Sequence, residues 1–139
     1  MIPEKYTCSG EGISPPISWE SVADSVKSYA LICEDPDAPM GTFTHWVIYD
    51  MPPQTHELPE RVPNQNTLPN GGVHGINSLR KTGYMGPCPP SGTHRYFFKV
   101  FALDSRLGLK PGAGKDEVLR AMEGHIVGEG QLMGRYERK

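Results

Sequence analysis

The stretch YALICEDPDAPMGTFTHWVIY, residues 29–49, consists of two apolar segments joined by a proline-rich loop. Residues 29–33 form a short apolar run, and residues 43–49 form another that is rich in aromatic and β-branched side chains. Both compositions are typical of β-strands. Pro36 and Pro39 stiffen the loop, because proline fixes φ and also keeps the preceding residue out of the α region. The pattern predicts a β-hairpin with a rigid connection.

Two polar residues lie where these strands meet the loop. In a hairpin, Asp35 leaves the first strand at the point where His45 enters the second. A carboxylate and an imidazole then share one rim of the sheet. Because a stiff loop loses little freedom when a ligand binds, this rim is a candidate binding site.

A second informative stretch, YMGPCPPSGTHRYFFKVFAL, covers residues 84–103. A loop rich in proline and glycine over residues 86–92 precedes a strand in which alternate residues share a face. One face is predicted to carry His94, Tyr96, Phe98, Val100 and Ala102. Arg95 belongs to the opposite face and is therefore predicted to lie outside any pocket that contains His45.

The length and composition predict one all-β domain. A chain of 139 residues has the size of a single domain, here residues 1–139. Its 16 Gly and 14 Pro fall between short apolar runs, as they do in β-sandwiches. Further predicted elements are strands over 2–7, 17–19 and 132–136, a polar turn over 20–28, a long loop over 54–81, and helices over 115–123 and 126–129.

Charge and cysteine content exclude several classes of function. A net charge of −2 without a basic tract gives no electrostatic support for nucleic-acid binding. No segment approaches the roughly 20 apolar residues of a membrane span, and the N-terminus MIPEKYTCSG is too polar for a signal peptide. Three cysteines without CxxC spacing favour three free thiols and a cytoplasmic location.

Four side chains suggest a chemistry. The imidazoles of His45 and His94 and the phenol of Tyr96 are hydrogen-bond donors suited to a small oxyanion such as phosphate, and Asp35 would orient an imidazole or pair with an amine of the ligand. Alternatively, all four are ordinary structural polar residues. Metal binding has no supporting motif, and serine hydrolysis lacks its GxSxG turn. Catalysis by Cys88 beside His94 has no helix N-terminus to activate the thiol. The remaining histidines are predicted to be structural or at the surface: His56, His74 and His125.

The motifs DPDAP, GTFTHW and GYMGPCPPSGTHRYFF resemble the phosphatidylethanolamine-binding protein family, in particular its bacterial and archaeal Raf kinase inhibitor-like branch. The segments IPEKYTCSGEGISPPISW and AMEGHIVGEGQLMGRYER extend the resemblance over nearly the whole chain. It implies a sandwich of two antiparallel sheets with a few short helices, mainly C-terminal, and a cis Ala38–Pro39 bond. It also implies a pocket for phosphate-like groups or phospholipid headgroups, with these ligand-binding residues: Asp35, His45, Gly86, Cys88, His94 and Tyr96.

The resemblance further implies a non-enzymatic binding protein that needs no cofactor or metal and regulates a partner such as a kinase or protease. The alternatives are a serine-type peptidase inhibitor that acts through a surface loop, and a hydrolase that uses the Asp/His cluster. Members of the branch usually carry a strand before the IPxxYTC segment, whereas this chain begins at Met1. A sheet edge left uncovered in this way would be available for homodimerisation.

Histidine donors also imply a pH dependence. Sulfate, whose charge is constant near neutrality, should bind more tightly at about pH 5.5 than at about pH 8. The Asp35 carboxylate is expected to raise the pKa of the pocket imidazoles more than burial lowers it.

Overall fold

The computed structural model describes residues 1–20 and 25–138. These residues form one α-helix, α1 (Lys115–Met122), and a 3-10 helix (Glu4–Tyr6). They also form strands β1 (Ile17–Ser18), β2 (Ser28–Asp35), β3 (Phe43–Met51), β4 (Glu57–Leu58), β5 (Val73–His74), β6 (Thr93–Leu103) and β7 (Ile126–Glu137). The predicted turn over 20–28 includes residues 21–24, which lie outside the described residues.

The strands form two antiparallel sheets, as predicted. The larger sheet has the order β5-β3-β2-β6-β7, and β1 pairs with β4 in a separate ribbon. The predicted hairpin is the β2–β3 pair, and β3 ends at Met51, directly before Pro52 and Pro53. The hairpin is central to the larger sheet because β2 is also bonded to β6 on its other side.

Both faces of the larger sheet are buried at its central strands β2 and β3, whereas the edge strand β7 is mostly exposed. On one face, Leu31 and Trp46 pack with Ile17 and Leu58 of the small ribbon. On the other face, Ile32 and Val47 of the sheet pack with Val118 and Met122 of α1, among others. A strand that is covered on both faces needs apolar residues at every position, which explains the continuous apolar run over residues 29–33.

The alternation predicted for β6 is confirmed. Its residues from Thr93 to Tyr96 alternate between exposed and buried, and His94, Tyr96 and Phe98 are buried on the same face. The predicted helix over 115–123 is α1, which ends just before Gly124, a residue with a φ of +79°. Among the described residues, no helix has both the length and the apolar character that crossing a bilayer requires.

The expected first strand over residues 2–7 is wrong. The 3-10 helix occupies this segment, where the N–H of Tyr6 donates to the carbonyl of Pro3 and the N–H of Thr7 donates to that of Glu4. The Thr7 hydroxyl also donates to the Glu4 carbonyl. Hydrogen bonds within the segment therefore take the place of the β-ladder that a strand would form with a neighbouring strand.

At the C-terminus, the expected strand over 132–136 is confirmed, but the expected helix over 126–129 is wrong. A single strand, β7, pairs with β6 from one end to the other. Gly130 and Gly134 lie opposite Val100 and Tyr96. A Cβ atom at Gly134 would lie 2.6 Å from Cγ1 of Ile2, so any larger residue there would have to displace the Ile2 side chain. Pairing with β6 outweighs the poor strand propensity of a glycine-rich segment.

Candidate functional site

Strands β2, β3 and β6 bring the predicted polar residues together at one end of the larger sheet. A cavity of about 160 Å³ contains all six predicted ligand-binding residues in its wall: Asp35, His45, Gly86, Cys88, His94 and Tyr96. Sequence reasoning did not assign its other lining residues: Ala38, Pro39, Phe43, Met85, Pro89 and Pro90. Most of these are apolar, and their only sequence signal was their position beside the two motifs. That the six predicted residues bind a ligand stays a prediction.

A β-bulge accompanies the placement of His45 in this pocket. Cys33 lies opposite Trp46 and the next residue, Glu34, lies opposite Thr44, so His45 is the extra residue in β3. Without the bulge, His45 and Trp46 would point to opposite faces of the sheet. The extra residue allows both to lie on the same side, a common use of bulges next to functional sites.

Hydrogen bonds hold the imidazole of His45 from the loop side. Its Nδ1–H donates to the carbonyl oxygen of Met85 at 2.8 Å, and the Met85 N–H donates to the His45 carbonyl at 2.9 Å. The ring of His45 also contacts two aromatic rings, with centroid distances of 4.8 Å to Phe43 and 5.3 Å to Tyr96. The orientation of this ring is therefore fixed in the absence of a ligand.

Asp35 and His94 form a buried pair. Nδ1–H of His94 donates to Oδ2 of Asp35 at 2.7 Å, and the backbone N–H of Asp37 donates to Oδ1 at 2.8 Å. Of the two roles predicted for Asp35, this geometry supports the orientation of an imidazole. Tyr96 lies beside His94, with its ring nearly parallel at 6.4 Å. Burial, together with the Asp35 charge, raises the pKa of Tyr96, so its phenol keeps its proton.

The expectation that Asp35 would raise the pKa of the pocket imidazoles is wrong for His45. Burial is the largest influence and lowers the pKa of His45 below its ordinary value. The Met85 carbonyl and the Asp35 charge act in the opposite direction but do not overcome it. The imidazole is walled by Phe43, Met85 and neighbouring prolines, and desolvation disfavours its charged form.

Arg95 lies outside the pocket of His45, as predicted. Its guanidinium donates to both carboxylate oxygens of Asp37, at 2.9 Å from Nε and 2.8 Å from Nη2, and its backbone N–H donates to the same carboxylate at 2.9 Å. These bonds lower the pKa of Asp37 to about 2. Sequence reasoning missed this fork, which ties the DPDAP loop to β6.

The prediction of three free thiols is wrong. Cys8 and Cys88 form a disulfide between residues 80 positions apart, and only Cys33 of the three cysteines is free and buried. The N–H of Cys8 also donates to the Pro87 carbonyl at 3.1 Å. Cysteine count and spacing failed because the fold brings together two loops that are distant in sequence. While Cys88 is oxidised in this disulfide, it has no free thiol that could act as a nucleophile.

The expected cis Ala38–Pro39 bond is also wrong, since the described residues contain no cis peptide bond. The trans form is intrinsically favoured by about 0.5–1 kcal/mol even before proline. The turn is closed by the Asp35–Asp37 hydrogen bond and by donation from the Gly41 N–H to the Ala38 carbonyl at 3.1 Å. Gly41 has a φ of +106°, which glycine adopts without strain.

Gly86 is required by the segment that packs behind the pocket. A Cβ atom there would lie 2.8 Å from the Tyr6 carbonyl oxygen and 3.0 Å from Cα of Thr7, both backbone atoms. We expect Gly86→Ala to lower the free energy of unfolding by about 1–3 kcal/mol through overpacking, measured by urea denaturation. Gly130→Ala is the matched control, because its Cβ would meet no atom within 4 Å. Equal stability of the two variants would contradict this assignment.

A groove of about 510 Å³ lies elsewhere, between β1 and β7. Among the residues that the structure describes, its walls include Trp19, Phe98, Val100 and Leu132, and its charged residues are Glu20 and Glu129. Its two carboxylates would repel an anion, whereas the one carboxylate of the smaller pocket, Asp35, is already paired with His94, so the smaller pocket is the better candidate for an anion. Among residues 1–20 and 25–138, no three His, Cys, Asp or Glu side chains are grouped to hold a metal ion.

The fold and the pocket define a class of protein, the antiparallel β-sandwich with a small polar pocket at one end of its main sheet. The model of the phosphatidylethanolamine-binding protein family matches residues 1–137. The chain belongs to this family, and the resemblance found in its motifs is confirmed.

Relatives and solved structures agree with this assignment. A UPF0098 protein of Methanothermobacter thermautotrophicus is 57% identical over 137 residues, which cover 99% of this chain and 91% of the relative. The crystal structure of a phosphatidylethanolamine-binding protein homologue from Chlamydia trachomatis has a TM-score of 0.91 at 41% identity, covering 99% of this chain and 90% of that one. YbcL of Escherichia coli, described as a member of the mammalian family, has a TM-score of 0.86 at 31% identity, with coverages of 95% and 84%.

Proposed function

We propose that this protein is a non-enzymatic binding protein whose pocket accepts a small phosphate-like group, either free or as the headgroup of a phospholipid. The observation that carries the proposal is the convergence of His45, His94 and Tyr96 on one cavity at the end of the sheet. Such side chains, with the backbone of a glycine- and proline-rich loop, are suited to an oxyanion.

The size of the cavity limits the ligand. Its volume of about 160 Å³ is close to that of a cavity known to hold benzene, roughly 150 Å³. Phosphate or phosphoethanolamine has a comparable size, whereas the acyl chains of a whole phospholipid would have to remain outside. The proposed ligand is therefore a headgroup-sized anion.

Hydrolysis is the less favoured alternative. The Asp35–His94 pair has the geometry of the orienting half of a catalytic triad. However, no serine or threonine of residues 1–20 or 25–138 lines the pocket, and Cys88 is held in the disulfide. None of the compared relatives is named as an enzyme. The Asp–His pair is better explained as a device that orients His94 toward a ligand.

Inhibition of a kinase or peptidase stays a prediction, because no residue of the pocket indicates which protein would bind to it.

Homodimerisation also stays a prediction. The Cys8–Cys88 disulfide removes the argument from free thiols for a cytoplasmic location.

Calorimetric titration with phosphoethanolamine at about pH 6 tests the proposal. We expect saturable binding of one ligand per chain with a Kd on the order of 0.1–1 mM, as befits so small a ligand. Tyr96→Phe should weaken binding about three- to tenfold by removing one hydrogen-bond donor. Tyr6→Phe is the matched control, because the Tyr6 hydroxyl donates to Glu60 at an exposed position outside the pocket.

Two results would contradict the proposed function. The first is the absence of saturable binding of phosphoethanolamine. The second is its conversion to ethanolamine and phosphate during incubation with the protein, which would establish a hydrolase instead.

A further inference from the structure

The hydrogen bonds of the two pocket histidines fix which ring nitrogen carries the proton. Nδ1 of His45 faces the carbonyl oxygen of Met85, and Nδ1 of His94 faces the carboxylate of Asp35. Both partners are acceptors, so both Nδ1 atoms must carry hydrogen. In each neutral ring, Nε2 is then a bare lone pair, and neither Nε2 atom has a hydrogen-bond partner among the described residues. Both rings line the cavity.

When both imidazoles are neutral, they therefore offer the pocket two hydrogen-bond acceptors and no donor. The titratable groups that face His45 are Asp35 from β2, and His94 and Tyr96 from β6. Asp35 adds negative charge, and within the described part of the chain the Tyr96 hydroxyl is the only side-chain O–H in the lining. Burial lowers the pKa of His45 and so supports its neutral form near pH 7.

We propose that near neutral pH this pocket selects oxyanions that carry their own hydroxyl hydrogen, such as hydrogenphosphate and phosphomonoester monoanions, over fully ionised oxyanions such as sulfate. The inference rests on the proposed function and names the ionic form of its ligand. A ligand P–O–H group donates to an Nε2 lone pair. A sulfate oxygen has no hydrogen to donate, so its own lone pairs repel the lone pair of Nε2. Rejection by unpaired acceptors is an effective source of specificity in a desolvated site.

Sulfate binds in this scheme only after the His45 imidazole has taken up a proton and become a donor at Nε2. Its affinity should therefore fall about tenfold for each pH unit above the pKa of that imidazole. Phosphate avoids most of this penalty, because its protonated form is still present near neutrality. The two anions have similar size and tetrahedral shape, so a difference between their affinities reports the effect of the hydroxyl hydrogen.

Calorimetry with inorganic phosphate and inorganic sulfate, at about pH 7.5 and about pH 5.5 and constant ionic strength, tests the inference. We expect phosphate to bind at least tenfold more tightly than sulfate at the higher pH, and a smaller ratio at the lower pH. Repeating the sulfate titration in two buffers of different ionisation enthalpy should reveal uptake of about one proton per sulfate at the higher pH. This measurement needs no variant.

His45→Gln supplies an independent readout. Glutamine offers an N–H donor without taking up a proton, so the variant should bind sulfate with a weaker pH dependence and should discriminate less against it at the higher pH. His125→Gln is the matched control, since His125 is paired with Asp104 away from the pocket. It should behave like the wild type.

The outcomes separate this inference from the proposed function. Equal affinities for phosphate and sulfate at about pH 7.5, without proton uptake, overturn the inference and leave a pocket whose donors are backbone amides. Absence of binding by phosphate, sulfate and phosphoethanolamine overturns the proposed function, and the inference with it.

Discussion

Replacement of Cys8 and Cys88 by serine is expected to lower the free energy of unfolding by about 4 kcal/mol. The disulfide closes a loop between residues separated by 80 positions, and a cross-link over a long loop restricts the unfolded chain strongly. For a chain of this length, a change of that size corresponds to a fall in Tm of roughly 10–20 °C. Urea denaturation and calorimetric melting of the oxidised wild type and the variant provide the measurement.

Reduction supplies the control for this prediction. A reductant that opens the disulfide should lower the stability of the wild type toward that of the double-serine variant and leave the variant unchanged. The variant should also bind phosphoethanolamine less tightly, because Cys88 lines the pocket and the disulfide ties its loop to the N-terminal segment. If wild type and variant unfold at the same urea concentration, the cross-link is absent from the protein or contributes nothing to its stability.

Acidification from about pH 6.5 to about pH 5 is expected to destabilise the protein through two buried histidines. Burial lowers the pKa of both His45 and His74. Nε2 of His74 accepts the indole N–H of Trp46 at 3.0 Å, and its Nδ1–H donates to the Gln65 carbonyl at 2.6 Å. Protonation of His74 would place a second hydrogen against the Trp46 donor, which is buried with it.

The sign of the effect follows from proton linkage. A histidine whose pKa is lower in the folded state binds its proton first in the unfolded chain, near pH 6.5. Stability is therefore full above that pH and falls on acidification by about 1.4 kcal/mol per pH unit for each histidine, until the folded-state pKa is reached. Carboxylates titrate mainly at lower pH, so this window isolates the histidines.

Urea denaturation at about pH 7.5, 6 and 5 checks this prediction. His74→Gln should remove the contribution of one histidine to the loss of stability on acidification, because the glutamine carbonyl can accept the Trp46 N–H without titrating. His125→Gln, at an exposed site, should keep the slope of the wild type. Stability that stays constant over this range would sink the prediction and imply that both rings accept a proton without loss of their contacts.

Much of the scaffold could be predicted because its signals are local. Residues 29–33 and 43–49 have strand composition, and prolines stiffen the turn between them. The alternation that places His94 and Tyr96 on one face follows from the two-residue repeat of a strand. The six pocket residues were found from the motifs and the family resemblance, and the fold brings all of them to one cavity.

The remaining features depend on contacts between distant segments. β7 is a strand because β6 supplies a partner along its whole length, although its own glycines disfavour strand and helix alike. The Cys8–Cys88 disulfide requires two loops to meet across 80 positions of sequence. Neither fact has a local signature.

The chemistry of the pocket shows the same division. The groups that are present can be named from the amino-acid sequence: a carboxylate, two imidazoles and a phenol on strands that adjoin a stiff loop. Their protonation and orientation depend on the folded structure. It directs His45 into the pocket through a β-bulge, sets Met85 and Asp35 against the two Nδ1 atoms, and buries His45 enough to lower its pKa. Proton position and pKa depend on neighbours and solvent exposure, and these exist only once the chain has folded.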